Sequence, residues 1–324
     1  MHDRVTPTSD QIQHATAVLF KNLPSTGLAL AATKAHLQSL IPGFNRSSQS
    51  PNYYGFVIGG ALPAAAFADS IVTEADQNVC VHLPNDTIAT TVEDRALRMV
   101  CELVNLDPDR FPHRIFTTGA TASNVLGLTC GREYVVQRRL ARSGNSRDLS
   151  VARMGLYEAL LAIRAHAPQG SNGIRGIRVL TTVPHSSLKK AASIAGLGHN
   201  SVIDVGQQHA PHQFDMERLE LYLKSSEYLS IVAVSCAEVN TGQFATTLKE
   251  MQAIRKLCDE HGGWIHVDAA FGLLARVLPV SNPDYSLIRN GVAGLELADS
   301  ITGDAHKLLN VVSHPTCYAV RLLF

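Results

Sequence analysis

Five short stretches of the 324-residue chain gather residue types that can do chemistry. In Asp299–Asn310 a hydrophobic run leads into a polar turn ending in His306 and Lys307, with apolar residues on both sides. That setting can bury a lysine amine and lower its pKa, as an imine-forming lysine requires. A solvated lysine at a strand end fits the same residues. In Trp264–Gly272, Asp268 closes an apolar run expected to be buried on both faces, and no Lys or Arg neighbours it in sequence. A buried carboxylate needs a partner, which could be a protonated heterocyclic nitrogen, a distant basic side chain or the next helix start. Ala269 and Ala270 would let a flat ring approach. In Thr182–Ser187, His185 can stack on a planar ligand, shuttle a proton, or simply cap a helix. In Thr117–Asn124 a strand passes through a Gly/Thr/Ser turn into a helix, whose first N–H groups would hold a phosphate, with Thr121 and Ser123 adding hydroxyls. An ordinary helix cap explains those residues as well. The turn Ser235–Gly242 can hydrogen-bond the edge of a ligand or serve only as a turn.

These stretches must be held by the elements around them. Strands are predicted at 115–117, 177–183, 201–205, 229–235, 264–268, 299–303 and 317–323, with helices at 153–165, 186–196, 215–225 and 246–261 between them. Strands alternating with helices give βαβ units and a mostly parallel sheet covered on both faces. Ligands of such sheets bind beyond the strands' carboxyl ends, where the reactive stretches fall. Before the sheet, helices are predicted at 9–23, 28–40 and 63–77. A further amphipathic helix over 87–105 has apolar positions Val92, Ala96, Met99, Val100 and Leu103. The helix after Asn124 should run to about Leu140, and 142–149 reads as an exposed connection. In Asn52–Gly60, aromatic residues interleave with glycines, so the backbone there passes close to a ligand, a neighbouring subunit or its own packed rings.

Composition bounds the rest. The chain is 45% hydrophobic and 17% charged, with 28 basic and 28 acidic residues, which argues against a dedicated nucleic-acid or membrane-surface binder. No apolar run reaches the length that spans a bilayer, and the amino end shows no signal core. Six cysteines without C-x-x-C spacing read as small packing groups of a reduced, cytoplasmic chain.

A phosphate cradle, a stacking His185, an Asp268 for a ring nitrogen and an imine-forming Lys307, in one α/β chain, meet the requirements of pyridoxal 5′-phosphate. The motifs F-T-T-G-A-T-A-S-N-V-L-G-L, P-H-S-S-L-K-K-A-A-S-I-A-G-L-G, W-I-H-V-D-A-A-F-G and A-D-S-I-T-G-D-A-H-K-L-L-N carry a resemblance to the group II pyridoxal-phosphate-dependent amino-acid decarboxylases, from about residue 50 onward. The E-V-N-T-G-Q-F-A and Y-Y-G-F segments look more like a fungal-type branch. The resemblance implies the large domain of the aspartate aminotransferase fold (fold type I) over 51–324, with 1–50 a helical segment that packs on it or on a dimer partner. It also implies roles. Lys307 would hold the cofactor as an imine, Asp268 would pair with the ring nitrogen, and His185 and Ala270 would flank the ring. Ala120 and Thr121 would hold the phosphate, His306 would bond the phosphate or assist proton transfer, and Asn240 or Thr241 would lie near the ring's 3′-oxygen.

The activity so implied is decarboxylation of an L-amino acid to an amine and CO2, by a cytoplasmic homodimer without nucleic-acid or membrane partners. Y-Y-G-F and its apolar neighbourhood favour an aromatic or apolar substrate side chain. Family members continue for a mobile loop and a small C-terminal domain, which this sequence largely lacks. The expectation is therefore a fragment or a weakly active chain. The same cofactor also supports aldol cleavage, transamination or amine oxidation, and a truncated relative could bind cofactor with little turnover.

Overall fold

The computed structural model describes residues 6–55, 58–77, 82–142, 149–167, 173–312 and, as backbone, the strand 316–320. Seven strands form one sheet: β1 (His113–Thr117), β2 (Gly176–Thr181), β3 (Val202–Asp204), β4 (Tyr228–Ser235), β5 (Trp264–Ala269), β6 (Ser300–Asp304) and β7 (Thr316–Val320). Their order across the sheet is β1-β7-β6-β5-β4-β2-β3, and only β7 runs against its neighbours. The other six therefore end on one edge, which brings Thr117, Thr181, Ser235, Ala269 and Asp304 to the same side.

Twelve helices accompany the strands among the described residues: α1 (Ser9–Ala17), α2 (Leu30–Leu40), α3 (Pro63–Glu74), α4 (Ala89–Leu103), α5 (Ala120–Arg142), α6 (Val151–Met154), α7 (Leu156–Ala165), α8 (Ser186–Ile194), α9 (Met216–Leu223), α10 (Leu248–His261), α11 (Ser286–Gly291) and α12 (Ala305–Leu308). None of them is long and apolar enough to cross a membrane. Local signals explain several ends. Thr247 and Glu250 form a reciprocal capping box on α10, and Gly262 closes it in a left-handed conformation. The helix expected over 153–165 is two helices, because Gly155 (φ 78°) breaks it. The helix expected over 9–23 ends at Ala17. The exposed connection expected at 142–149 falls largely on residues outside those described, as do the last three residues of the strand expected at 317–323.

Side chains alternate across the sheet, so each strand feeds two cores. Val232, Val234, Ile265 and Val267 pack with Met251 and Ile254 of α10 and with Leu97 and Cys101 of α4. Ile231, Ala233 and Trp264 pack on the other face with Leu128 and Val135 of α5 and Ala191 of α8. Cys101, Cys236 and Cys258 are buried free thiols, and burial pushes the Cys236 and Cys258 thiols up to about 12. They serve as packing groups, as does the half-buried Cys130. Cys80 and the side chain of Cys317 lie outside the described residues.

Helix α4 departs from its expected face. It buries Leu97 and Cys101, while Val92 (55%), Met99 (65%) and Leu103 (49%) are exposed. Of the expected positions, Val100 packs against that core and Ala96 is half-buried, so the buried face is rotated from the expected one and shares its edge. Helices α1, α2 and α3 bury no side chain, and Leu23, Leu30 and Phe67 are largely exposed.

Candidate functional site

A cavity of about 930 Å3 opens where the strands end. Lys307, Asp268, His185, Ala120, Thr121 and Ala270 all line it. They come from four separate strand ends, so the long-range approach is the work of the sheet. Two non-glycine residues at positive φ, Val183 (38°) and Ala237 (62°), lie just past β2 and β4. Positive φ in a β-branched residue is strained, by about 1–3 kcal/mol. Val183 stands two residues before His185, which lines the cavity.

Lys307 sits in the first turn after β6, on α12, with 14% of its side chain exposed. Burial lowers its pKa, opposed by the charges of Asp304 and Asp268. Its Nζ lies 3.6 Å from Asp304 and 3.5 Å from the centre of the Phe271 ring. Phe271, adjacent to the two alanines, went unnoticed in the sequence because an aromatic there reads as core.

His185 caps a helix and also lines the cavity. Its Nδ1 caps α8 by accepting from the Ser187 backbone N–H (3.2 Å), and it lies 2.7 Å from Ser187 Oγ. With Nδ1 so occupied, Nε2 carries the proton of the neutral ring. Asp268 is half-buried, open toward the cavity, and forms no ion pair among the described residues. Its Oδ2 accepts from Asn124 Nδ2 (2.8 Å) and its Oδ1 from the Ala270 N–H (3.2 Å). Asn124 was read only as the end of a turn. Its role depends on a partner 144 residues away, which no local pattern shows.

Three of the expected residues do not line the cavity. The side chains of Asn240 and Thr241 do not reach the cavity; with their backbone N–H groups they donate to Glu238, and both residues are exposed. Of that turn, Ser235, Ala237, Val239 and the buried Glu238 line the cavity instead. Desolvation raises its pKa, but these donors outweigh it and hold the carboxyl below the usual range. The His306 ring does not line the cavity either; its Nδ1 lies 3.3 Å from the Val311 carbonyl, and its backbone N–H caps onto Asp304. A helical register that points Lys307 inward turns its neighbour away. The glycine-aromatic segment before α3 packs on this same turn: a Cβ at Gly59 would come within 2.6 Å of Asn310, and the Leu62 N–H donates to the Asn310 carbonyl. Phe56 and Val57 lie outside the described residues.

The match to known sequences decides the family. Residues 151–322, more than half of the chain, fit the pyridoxal-dependent decarboxylase conserved domain. The chain belongs to the pyridoxal-dependent decarboxylase family. It is 28% identical over 195 residues to L-2,4-diaminobutyrate decarboxylase of Acinetobacter baumannii, covering 60% of this chain and 34% of that protein. It is 24% identical over 300 residues to aspartate 1-decarboxylase of Aliivibrio fischeri, covering 90% and 51%. Its fold matches the crystal structure of Oryza sativa TDC with PLP and tryptamine at a TM-score of 0.71 and 20% identity, covering 98% of this chain and 61% of that one. The chain thus spans between a third and two thirds of the length of these relatives.

The residues present fit the family's cofactor. The cavity holds one half-buried lysine with a lowered pKa, the Asp268 carboxylate without a cationic side-chain partner, one histidine ring, and the start of the 23-residue helix α5. A helix start supplies unpaired N–H groups for a phosphate.

His266, beneath Asp268 on β5, is fully buried, and burial pushes its imidazole down to about 4 against the upward pull of Asp268. Between its unfolded value of 6.5 and about 4 the unfolded chain binds the extra proton, so stability falls as pH falls through that window. The loss is about 3 kcal/mol. Urea unfolding over this pH range, compared with His266→Gln, is expected to show this component only in the native sequence.

Proposed function

We propose that this chain binds pyridoxal 5′-phosphate in the cavity and decarboxylates an L-amino acid with an aromatic or apolar side chain. The convergence of Lys307, Asp268 and His185 on one cavity, opposite the start of α5, carries the reading. Lys307 would hold the cofactor through its aldehyde, Asp268 would pair with its ring nitrogen, His185 and Ala270 would flank its ring, and Ala120 and Thr121 would hold its phosphate. When bound, the cofactor supplies an electron sink for the bond broken at Cα. The reaction exchanges the α-carboxylate for a proton, giving amine and CO2. Lys307 and the Nε2–H of His185 are the cavity groups able to carry that proton.

The cavity wall supports the substrate class. Ile115, Phe116, Val125, Leu126, Ile194 and Val239 line it, and no arginine does among the described residues. A second carboxylate on the substrate would meet Glu238 and Asp268 with only Lys307 as a cation. The purified chain with added cofactor, offered a panel of L-amino acids, is expected to release CO2 and the amine of an aromatic or apolar substrate. A keto acid or aldehyde product would overturn decarboxylation, and preference for aspartate would overturn the substrate class.

The homodimer belongs to the same reading. The apolar faces that α1–α4 leave exposed, Met99 among them, fit a second copy and place residues 1–50 at its edge. The free thiols fit the cytoplasm. Light scattering is expected to give twice the 34.9 kDa chain mass, and Met99→Glu the single-chain mass. A single-chain mass for the unaltered protein would refute the dimer.

A further inference from the structure

Beneath the cavity floor lies a line of polar side chains with no exposure to solvent. Alternation on β5 points Trp264, His266 and Asp268 to the same face, over about 13 Å at about 3.3 Å per residue. In the neighbouring β6, Ser300 is paired with His266. Across that face lies α5, presenting Asn124, Gly127 and Gly131 at helical spacing. A Cβ at Gly127 would come within 2.3 Å of the His266 ring, and one at Gly131 within 2.7 Å of the Trp264 ring. Two glycines one turn apart thus allow both rings to lie between strand and helix.

The hydrogen bonds along this line are continuous. Trp264 Nε1 lies 3.1 Å from Ser300 Oγ, Ser300 Oγ 2.9 Å from His266 Nδ1, His266 Nε2 2.9 Å from Asn124 Oδ1, and Asn124 Nδ2 2.8 Å from Asp268 Oδ2. The second Asn124 amide hydrogen faces Ser187 Oγ at 3.4 Å, and Ser187 Oγ lies 2.7 Å from His185 Nδ1. Trp264, His266, Ser300 and Asn124 have 2% exposure or none.

The two ends of the line set its direction. A carboxylate only accepts, so Asn124 must turn its NH2 toward Asp268 and its oxygen toward His266. His266 must then carry its proton on Nε2 and leave Nδ1 bare. Ser300 donates to Nδ1 and uses a lone pair for the indole N–H, which can only donate. Every donor and acceptor is matched, and no other arrangement of these protons satisfies all of them. Burial that keeps His266 neutral preserves this arrangement.

We propose that Trp264, Ser300, His266 and Asn124 form a one-way hydrogen-bond relay whose task is to position the two groups that meet the cofactor ring. Asn124 is the branch point. One arm fixes the Asp268 carboxylate toward the ring nitrogen, and the other, through Ser187, fixes the His185 tautomer. These four are positioning residues, and their assignment rests on the reading of Asp268 and His185 given under the proposed function. In metal sites, outer partners that orient a ligating side chain typically change affinity by about 10- to 100-fold, and a loss of that order is expected for partners that orient Asp268.

Trp264 is the only tryptophan, so its indole N–H gives a single, self-assigned 1H–15N signal at the far end of the relay. Adding pyridoxal 5′-phosphate to the native chain is expected to shift that signal. The 1-deaza analogue, which has carbon in place of the ring nitrogen, is expected to bind through Lys307 and leave it unmoved. In Asn124→Leu the cofactor is expected to bind about tenfold or more weakly, and its binding no longer to shift the indole. Ser300→Ala is expected to speed hydrogen exchange of the indole N–H and to abolish the response. An indole that ignores bound cofactor, or responds equally to the deaza analogue, overturns the relay, and neither result depends on a variant folding. Failure of the native chain to acquire the visible absorbance of lysine-bound cofactor overturns the cofactor-site reading and, with it, the relay's purpose. The two failures are thereby told apart.

Discussion

Lys307→Ala is expected to leave a folded chain that no longer retains pyridoxal 5′-phosphate covalently. Borohydride reduction followed by mass spectrometry would show the added mass on the native protein and none on the variant. Loss of a nucleophile that works with its neighbours as a unit costs on the order of 10⁴- to 10⁶-fold in turnover. The physical basis is the burial of the amine. With 14% of the side chain exposed, desolvation lowers the pKa despite the two nearby carboxylates, so more of the amine is unprotonated at a given pH. Capture of cofactor should accordingly accelerate with pH and level off below the ordinary lysine value of 10.5. The apo variant should be no less stable than the native chain, because truncation removes a cation whose burial is unfavourable. A variant that keeps the covalent adduct would move the imine to another lysine and refute the site.

The largest expected loss of stability lies outside the cavity, at Asp299→Ala. Asp299 has no exposure, accepts from Arg255 Nη1 on both oxygens at 2.9 Å, and accepts from the Ile265 N–H at 2.7 Å. Arg255 is held on the other side by Asp259 at 2.8 Å. Its guanidinium is depressed by burial, yet Asp299 carries the pKa above the ordinary value. The pair ties α10 to the start of β6, the strand that delivers Lys307. Removing one partner of a buried pair leaves the other charge uncompensated and costs about 3–5 kcal/mol. Denaturant unfolding should show that drop for Asp299→Ala, and Arg255→Met/Asp299→Leu should recover part of it. A double variant as unstable as the sum of the single changes would assign the loss to packing.

Sequence and structure divide along a physical line. The order of elements was legible because it is encoded locally: β-branched runs for β2, β4 and β5, and a capping box with a closing glycine for α10. The expected helix over 153–165 overlooked Gly155, since a glycine's backbone angle is not visible in its name. On α4 the sequence offered a broad apolar surface, and only the sheet's position decided that Leu97 and Cys101, with Val100 at the edge, are the part to bury.

The same holds for the site. The sequence by itself determined which reactive residues stand at strand ends, namely Lys307, Asp268, His185 and the turn before α5, because strand alternation and helix starts are short-range properties. It could not determine where neighbours point. His306 turns to a backbone carbonyl and Asn240 to Glu238, because one residue's rotation along a turn redirects a side chain completely. Nor could it join Asn124 to His266 and Asp268, which meet only when α5 lies on β5 with Gly127 and Gly131 against the rings. Chemistry at strand ends is written in the chain; the partners that aim it come from contacts more than a hundred residues apart, which exist only once the sheet has closed under the helix.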